Sequence, residues 1–203
     1  MDIKSLIENN QDIMTILQII ADLELRDCWL AAGLLRNMVW NHLSGREDFD
    51  EETDVDVVFY DPQVTYEETL AIEQNLRAAY PHYKWEVKNE VYMNIHTPGA
   101  DRYASACDAI ARFPERCTAI GARLHDGDVE LFLPYGAEDI VNFEVRPTPS
   151  FAGNEERMAV YRARMAKKNW ADKWPKLVVF QESGTEIGKT KSSIPLSHLR
   201  TVE

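Results

Sequence analysis

The chain has 203 residues, enough for one domain with a substantial core and an appendage. Its 45% apolar and 10% aromatic content marks a folded protein, while a net charge of −12 works against charge-driven binding to long nucleic acid. No run approaches the roughly 20 apolar residues of a membrane helix, and the N-terminus is acidic where an export signal would be basic, so the expectation is a soluble, cytoplasmic protein.

Apolar residues at Ile3, Leu6 and Ile7, then at Ile13, Ile16, Leu17 and Ile20, have helical spacing and predict one or two packing helices over residues 1–25. "DCWLAAG" follows as a short apolar strand ending at Gly33, and "LLRNMVWNHLSG" as a helix stopped by Gly45. The acidic stretch "REDFDEETD" has no strand pattern and predicts a loop that delivers the chain into the strand "VDVVFYDP", ended by Pro62. Thr65 and Glu68 stand in the relation of a capping box ahead of a helix that Pro81 terminates.

"YKWEVKNEVYMNI" has the alternation of a half-buried strand. "SACDAIARFPERCTAIGARL" predicts a helix broken near Pro114, and "DGDVELFLPYG" a turn and strand. A helix capped by Asn154 carries Met158, Tyr161 and Met165 inward. Its Arg157, Arg162, Arg164, Lys167 and Lys168, with Lys173 and Lys176 beyond, read as a solvated face that offsets the acidic loop or carries ion pairs, with an RNA or phosphate partner as the alternative, and Trp170, Trp174 and Leu177 read as packing residues. Residues 26–180 then form the main domain, and 181–203 a mobile polar tail. The mixture of strands and helices predicts an α/β (α+β) fold with a mixed β-sheet flanked by helices.

The chemistry centres on "TDVDVVFYD". Side chains two apart on a strand share a face, so Asp54 and Asp56 converge on one point. Two carboxylates brought together need a cation between them, and hard oxygen donors select Mg²⁺ (or Mn²⁺), usually completed by substrate phosphates. Upstream, Gly33 lies where a strand meets a helix, so backbone N–H groups and the helix dipole can receive phosphate, and Arg36 follows one turn later. A calcium loop does not fit, because the acidic run has no glycine at the turn an EF-hand requires. Cys28, Cys107 and Cys117 lack paired spacing and read as reduced, packing thiols, and the five histidines show no ligand spacing.

The succession Ala32-Gly33, Arg36-Asn37, Gly45 and then D-x-D resembles the DNA polymerase β nucleotidyltransferase superfamily, and in particular the G-G-x-x-R-D…D-x-D pattern of its tRNA CCA-adding branch. The set "AGLLRN", "WNHLSG", "DVDVVFYD", "WEVKNE", "TAIGARL", "PYGAEDI", "VRPTP" and "KKNW…KWPKL" is similar, over residues 28–178, to a small bacterial family of nucleotidyltransferase-like proteins. The resemblance implies a nucleotidyltransferase-type sheet and a third carboxylate on a later strand. Glu86 in "WEV" fits the order of elements better than Glu130 in "VEL".

It further implies Asp54, Asp56 and Glu86 as catalytic metal ligands, and Gly33, Arg36, Asn37, Lys88 and Arg123 as nucleotide-binding residues. The reaction expected is metal-dependent transfer of a nucleoside monophosphate from a nucleoside triphosphate to an acceptor hydroxyl. The acceptor class stays open among a small molecule, a protein and an RNA end. Ala32 stands where the superfamily pattern has a second small, flexible residue, which keeps a non-catalytic nucleotide- or protein-binding module as the alternative.

Overall fold

The computed structural model describes residues 1–182 and 185–186. Two helices, α1 (Ile3–Glu8) and α2 (Gln11–Ala21), open the chain, each with its first turn capped by a side chain: Asp2 accepts from the Lys4 N–H and Asn10 from the Ile13 N–H. Their apolar stripes, Ile3, Ile7, Ile13, Ile16, Leu17 and Ile20, enter the same buried cluster as the sheet residues Val55, Val57 and Trp85.

Strand β1 (Trp29–Ala31) runs into α3 (Gly33–Leu43), and β2 (Asp54–Phe59) leads to α4 (Tyr66–Ala79) and β3 (Lys84–Asn89). Next come α5 (Ala106–Ala111), the hairpin of β4 (Gly121–His125) and β5 (Asp128–Phe132), then α6 (Glu138–Val141), β6 (Glu144–Val145), α7 (Pro149–Ala152), α8 (Glu155–Lys167), α9 (Trp170–Lys173), β7 (Val178–Glu182) and β8 (Thr185–Glu186). The main sheet has the order β3-β2-β1-β4-β5, in which only β2 and β3 are parallel. A smaller sheet orders β6-β7-β8. This is the mixed sheet flanked by helices that the sequence predicts. The Thr65–Glu68 capping box forms at the start of α4.

Two elements differ from expectation. The strand expected to continue to Ile95 ends at Asn89, whose buried side chain donates to the carbonyls of Asp61 (2.8 Å) and Val64 (3.0 Å) and ties the strand end to the β2–α4 turn. The chain then turns into a short 3-10 helix, Met93–His96, that leaves Ile95 77% exposed. The second half of the expected broken helix is a 3-10 turn, Arg116–Thr118, followed by β4. Gly121 makes that strand possible beneath α5: a Cβ there would lie 3.1 Å from Ile110 Cδ1 and 3.3 Å from Trp29 Cε3. The tail expected from residue 181 begins inside β7, and apart from 185–186 its remainder beyond Glu182 lies outside the described residues.

Candidate active site

The register of the sheet assembles the site. Ala31 at the end of β1 pairs with Asp56 on β2, and Asp56 pairs in parallel with Glu86 on β3. With a period of two, Asp54, Asp56, Lys84, Glu86 and Lys88 therefore share one face, while Val55, Val57, Phe59, Trp85 and Val87 face the core.

Lys88 lies among these acids, its ammonium 3.3 Å from Asp56 Oδ1 and 2.6 Å from Glu86 Oε2. Burial pushes the Asp56 carboxyl up from its ordinary value; Lys88 opposes that shift, and Glu86 and Asp54 add to it. Burial works against the charge on Lys88 as well, yet Asp56 and Glu86 outweigh it and hold the ammonium above its usual value. The face thus concentrates negative charge and already draws one cation into it.

Chain direction brings the second half of the site alongside. Because β1 is antiparallel to β2, its C-terminal end meets the N-terminal end of β2, and α3 starts beside Asp54. A Cβ on Gly33 would lie 3.9 Å from Cγ2 of Thr53, the residue before Asp54. The N-cap residue of α3, Ala32, gives its leading N–H groups no side-chain acceptor. The turn into α3 uses Ala32 at φ 60°, ψ −122°, a conformation that ordinarily selects glycine.

Arg36 is turned into the protein. It is 3% exposed, stacked between the rings of Trp40 (4.7 Å) and Trp170 (4.2 Å), and donates through Nε and Nη2 to Asn37 Oδ1 at 3.2 and 2.8 Å. Asn37, also buried, donates to Thr53 Oγ1 at 3.0 Å; Thr53 in turn donates to Asp50, which pairs with Lys173 on α9. The geometry makes Arg36 and Asn37 the start of a relay that fixes the residue preceding the D-x-D pair. Arg123 lies on the carboxylate face but toward the far edge of the sheet, stacked over Trp29 (4.2 Å) and paired with Glu130 at 2.7 Å. The structure does not bring it to Asp56.

Three further groups stand outside the site expected from the sequence. Glu90, 2% exposed, lies just past β3, where burial pushes its carboxyl up to about 7, with Lys88 favouring and Asp56 opposing ionisation. Glu115, fully buried, accepts from Arg164 on α8, Nε to Oε1 at 2.8 Å, across 49 residues of chain. Arg164 stood in the sequence as one of many basic residues on its helix, and Glu115 sits in no motif.

The sequence profile of the family described as nucleotidyltransferase matches residues 18–179, a span that contains every group of the site. This chain belongs to the nucleotidyltransferase family. An NMR structure described as revealing a CCA-adding enzyme head domain is 52% identical to this nucleotidyltransferase, covering 88% of it and 94% of the other chain, with a TM-score of 0.83.

Two further solved structures are more distant. One is of a tRNA-processing enzyme complex, at 16% identity and TM-score 0.45; the other is a tRNA nucleotidyltransferase complexed with a primer tRNA and an incoming ATP analog, at 17% and 0.43. Each is covered over 72% of this chain and only 40% and 43% of theirs. No curated protein matches by sequence. Fold and family together make the chain an enzyme of nucleotidyl transfer. Among the described residues no helix is long and apolar enough to cross a membrane.

The donor set can be tested against a divalent ion. Among the described residues no three His, Cys, Asp or Glu side chains are grouped so as to hold one by themselves. Asp54 and Asp56 nonetheless offer hard oxygens from one strand face, and one or two carboxylates completed by substrate phosphates is the set Mg²⁺ ordinarily takes. The residues fit an ion that arrives with its nucleotide better than a resident one.

Proposed function

We propose that this face of the sheet transfers a nucleoside monophosphate from a nucleoside triphosphate to an acceptor hydroxyl, releasing pyrophosphate. The observation that carries the reading is the register Ala31–Asp56–Glu86, which sets the uncapped start of α3 beside the D-x-D carboxylates. In this reading the leading N–H groups of α3, at Gly33, take phosphate oxygens, and Asp54 and Asp56 hold Mg²⁺ or Mn²⁺ together with the triphosphate. The ion, when bound, supplies positive charge to the oxygens on which negative charge grows.

Glu86 is the third carboxylate. Partly exposed on the same face, it accepts the proton of the attacking hydroxyl as the new oxygen–phosphorus bond forms and the bond to pyrophosphate breaks. Lys88, already between Asp56 and Glu86, follows the developing charge on the phosphoryl oxygens. The chain's own contribution is positioning and fixed charge. Likeness to the structure described as a CCA-adding enzyme head domain supports an RNA end as acceptor, beside a small molecule or a protein side chain. Free thiols at Cys28, Cys107 and Cys117 support a reducing, cytoplasmic setting.

The test is transfer of label from each α-labelled nucleoside triphosphate, with Mg²⁺ or Mn²⁺, to fractionated RNA, small-molecule and protein pools. Asp56→Asn is expected to lower transfer by about 100-fold or more while leaving the chain folded. Equal transfer by the variant and the parent overturns the assignment of Asp56, and no transfer by the parent to any pool overturns the reaction.

A further inference from the structure

Strand β3 carries two lysines on the carboxylate face, one on either side of Glu86, and the fold turns them in different directions. Lys84, level with Asp54 in the register, pairs with the exposed Glu52 of the acidic loop before β2. Lys88, level with Val58, turns back along its own strand: its ammonium donates to Asp56 Oδ1 at 3.3 Å and to Glu86 Oε2 at 2.6 Å. Among the described residues these are its only hydrogen bonds.

The place that Lys88 takes is set by the register. On this face β2 and β3 align Asp54 with Lys84, Asp56 with Glu86 and Val58 with Lys88, so only the middle pair joins two carboxylates. Nucleotidyl transfer commonly divides its charge between two divalent ions about 3.5–4 Å apart, one shared with the leaving side of the triphosphate and one on the attacking oxygen. The first has Asp54 and Asp56. A second would have to be held between Asp56 and Glu86, and there the donor set fits poorly: among the described residues no three acidic, His or Cys side chains group around an ion, and the oxygens facing that position already accept from an ammonium.

We propose that Lys88 takes the place of the second divalent ion, so that the site works with a single ion, the one held by Asp54 and Asp56 with the triphosphate. An ammonium has three N–H donors; Asp56 and Glu86 accept two, and the third is left to the oxygen of the acceptor. As that oxygen attacks the α-phosphorus, its proton passes to Glu86, the new oxygen–phosphorus bond forms and the bond to pyrophosphate breaks. Lys88 stays protonated throughout, its charge set first against the attacking oxygen and then against the phosphoryl group that oxygen joins. Tethering favours the lysine over a free ion here, because a side chain already on the strand loses no translational freedom when it fills the position. This inference rests on the nucleotidyl-transfer reading above and adds to it the number of ions and the group on the attacking oxygen.

The experiment counts Mn²⁺ on the full chain by electron paramagnetic resonance, with a nucleoside triphosphate analogue whose α and β phosphorus atoms are joined by a methylene group, so that no pyrophosphate leaves. The parent is expected to hold one Mn²⁺ per bound analogue, with the spectrum of an isolated ion. Lys88→Met, its folding checked by its melting curve, is expected to hold two, with the spectrum of a magnetically interacting pair, and Lys88→Arg, which keeps the charge, to hold one. With a natural triphosphate, transfer by Lys88→Met is expected to fall about 100-fold at low Mn²⁺ and to recover in part as Mn²⁺ is raised, a second saturation step that the parent lacks. Two ions per analogue in the parent, or one in a folded Lys88→Met, overturn this inference and leave the reaction standing. A parent that binds no analogue in the presence of Mn²⁺ overturns both.

Discussion

The ammonium of Lys88 bridges Asp56 and Glu86, 3.3 Å from one carboxylate and 2.6 Å from the other, so the cation that this face of the sheet calls for is supplied in part by the chain itself. In the proposed reaction a divalent ion would meet carboxylates already partly neutralised. Replacing Lys88 by Met keeps the apolar stem and removes the competitor. With all three side chains 22–39% exposed, the loss in stability without metal is expected to be only about 1 kcal/mol.

The same variant is expected to gain more than the parent from Mn²⁺, because an ion that binds the folded state more tightly raises the melting temperature further. Melting curves in chelator and in millimolar Mn²⁺ measure both effects. A metal-induced rise no larger than the parent's contradicts competition between the lysine and the ion.

Ala32 yields a second expectation. Its φ of 60° and ψ of −122° put a Cβ where L-residues carry strain, and the fold holds it there through the Ala32 N–H to the Ile120 carbonyl at 3.0 Å. Such strain costs about 1–3 kcal/mol, against the roughly 0.5–1 kcal/mol that glycine's freedom costs on folding. Ala32→Gly is therefore expected to stabilise the chain by about 1 kcal/mol in urea denaturation. A destabilised variant contradicts the strain.

These features were unequally legible in the sequence. The D-x-D strand could be read because a period of two fixes which side chains share a face, and the Thr65–Glu68 box because its geometry is local. Gly33 at the end of β1 was equally plain. β4 was not: "CTAIGARL" is a short run of small and apolar residues, too short for its period to distinguish a strand from a helix.

The direction of Arg36 was hidden for another reason. Helical spacing places it one turn from Trp40, but Trp170, which closes the other side, comes from a helix more than a hundred residues on. Arg164 and Glu115 meet only through the tertiary fold, and nothing local marks either as a partner of the other. Glu90 belongs with these: it closes the motif "WEVKNE", but its burial follows from the way the chain turns at Asn89.

That burial makes Glu90 a source of pH dependence. Its folded value of about 7 lies above the ordinary 4.5, so between those limits the folded chain keeps a proton that the unfolded chain has lost. Unfolding there releases a proton, and stability must fall as pH rises from about 4.5 to about 7, then level off. A shift of that size corresponds to about 3 kcal/mol for a group only 2% exposed.

Glu90→Gln carries no titrating group and is expected to flatten this part of the profile. In metal-free buffer its melting temperature should match the parent's near pH 4.5 and exceed it by several degrees at pH 8. Two curves that run parallel from pH 4.5 to pH 8 contradict the assignment. Asp56 shifts in the same direction and for the same leading reason, burial, so Asp56→Asn should also raise stability at neutral pH while abolishing transfer. A variant that is both more stable and inactive is what a carboxylate kept at a cost for its chemistry must give.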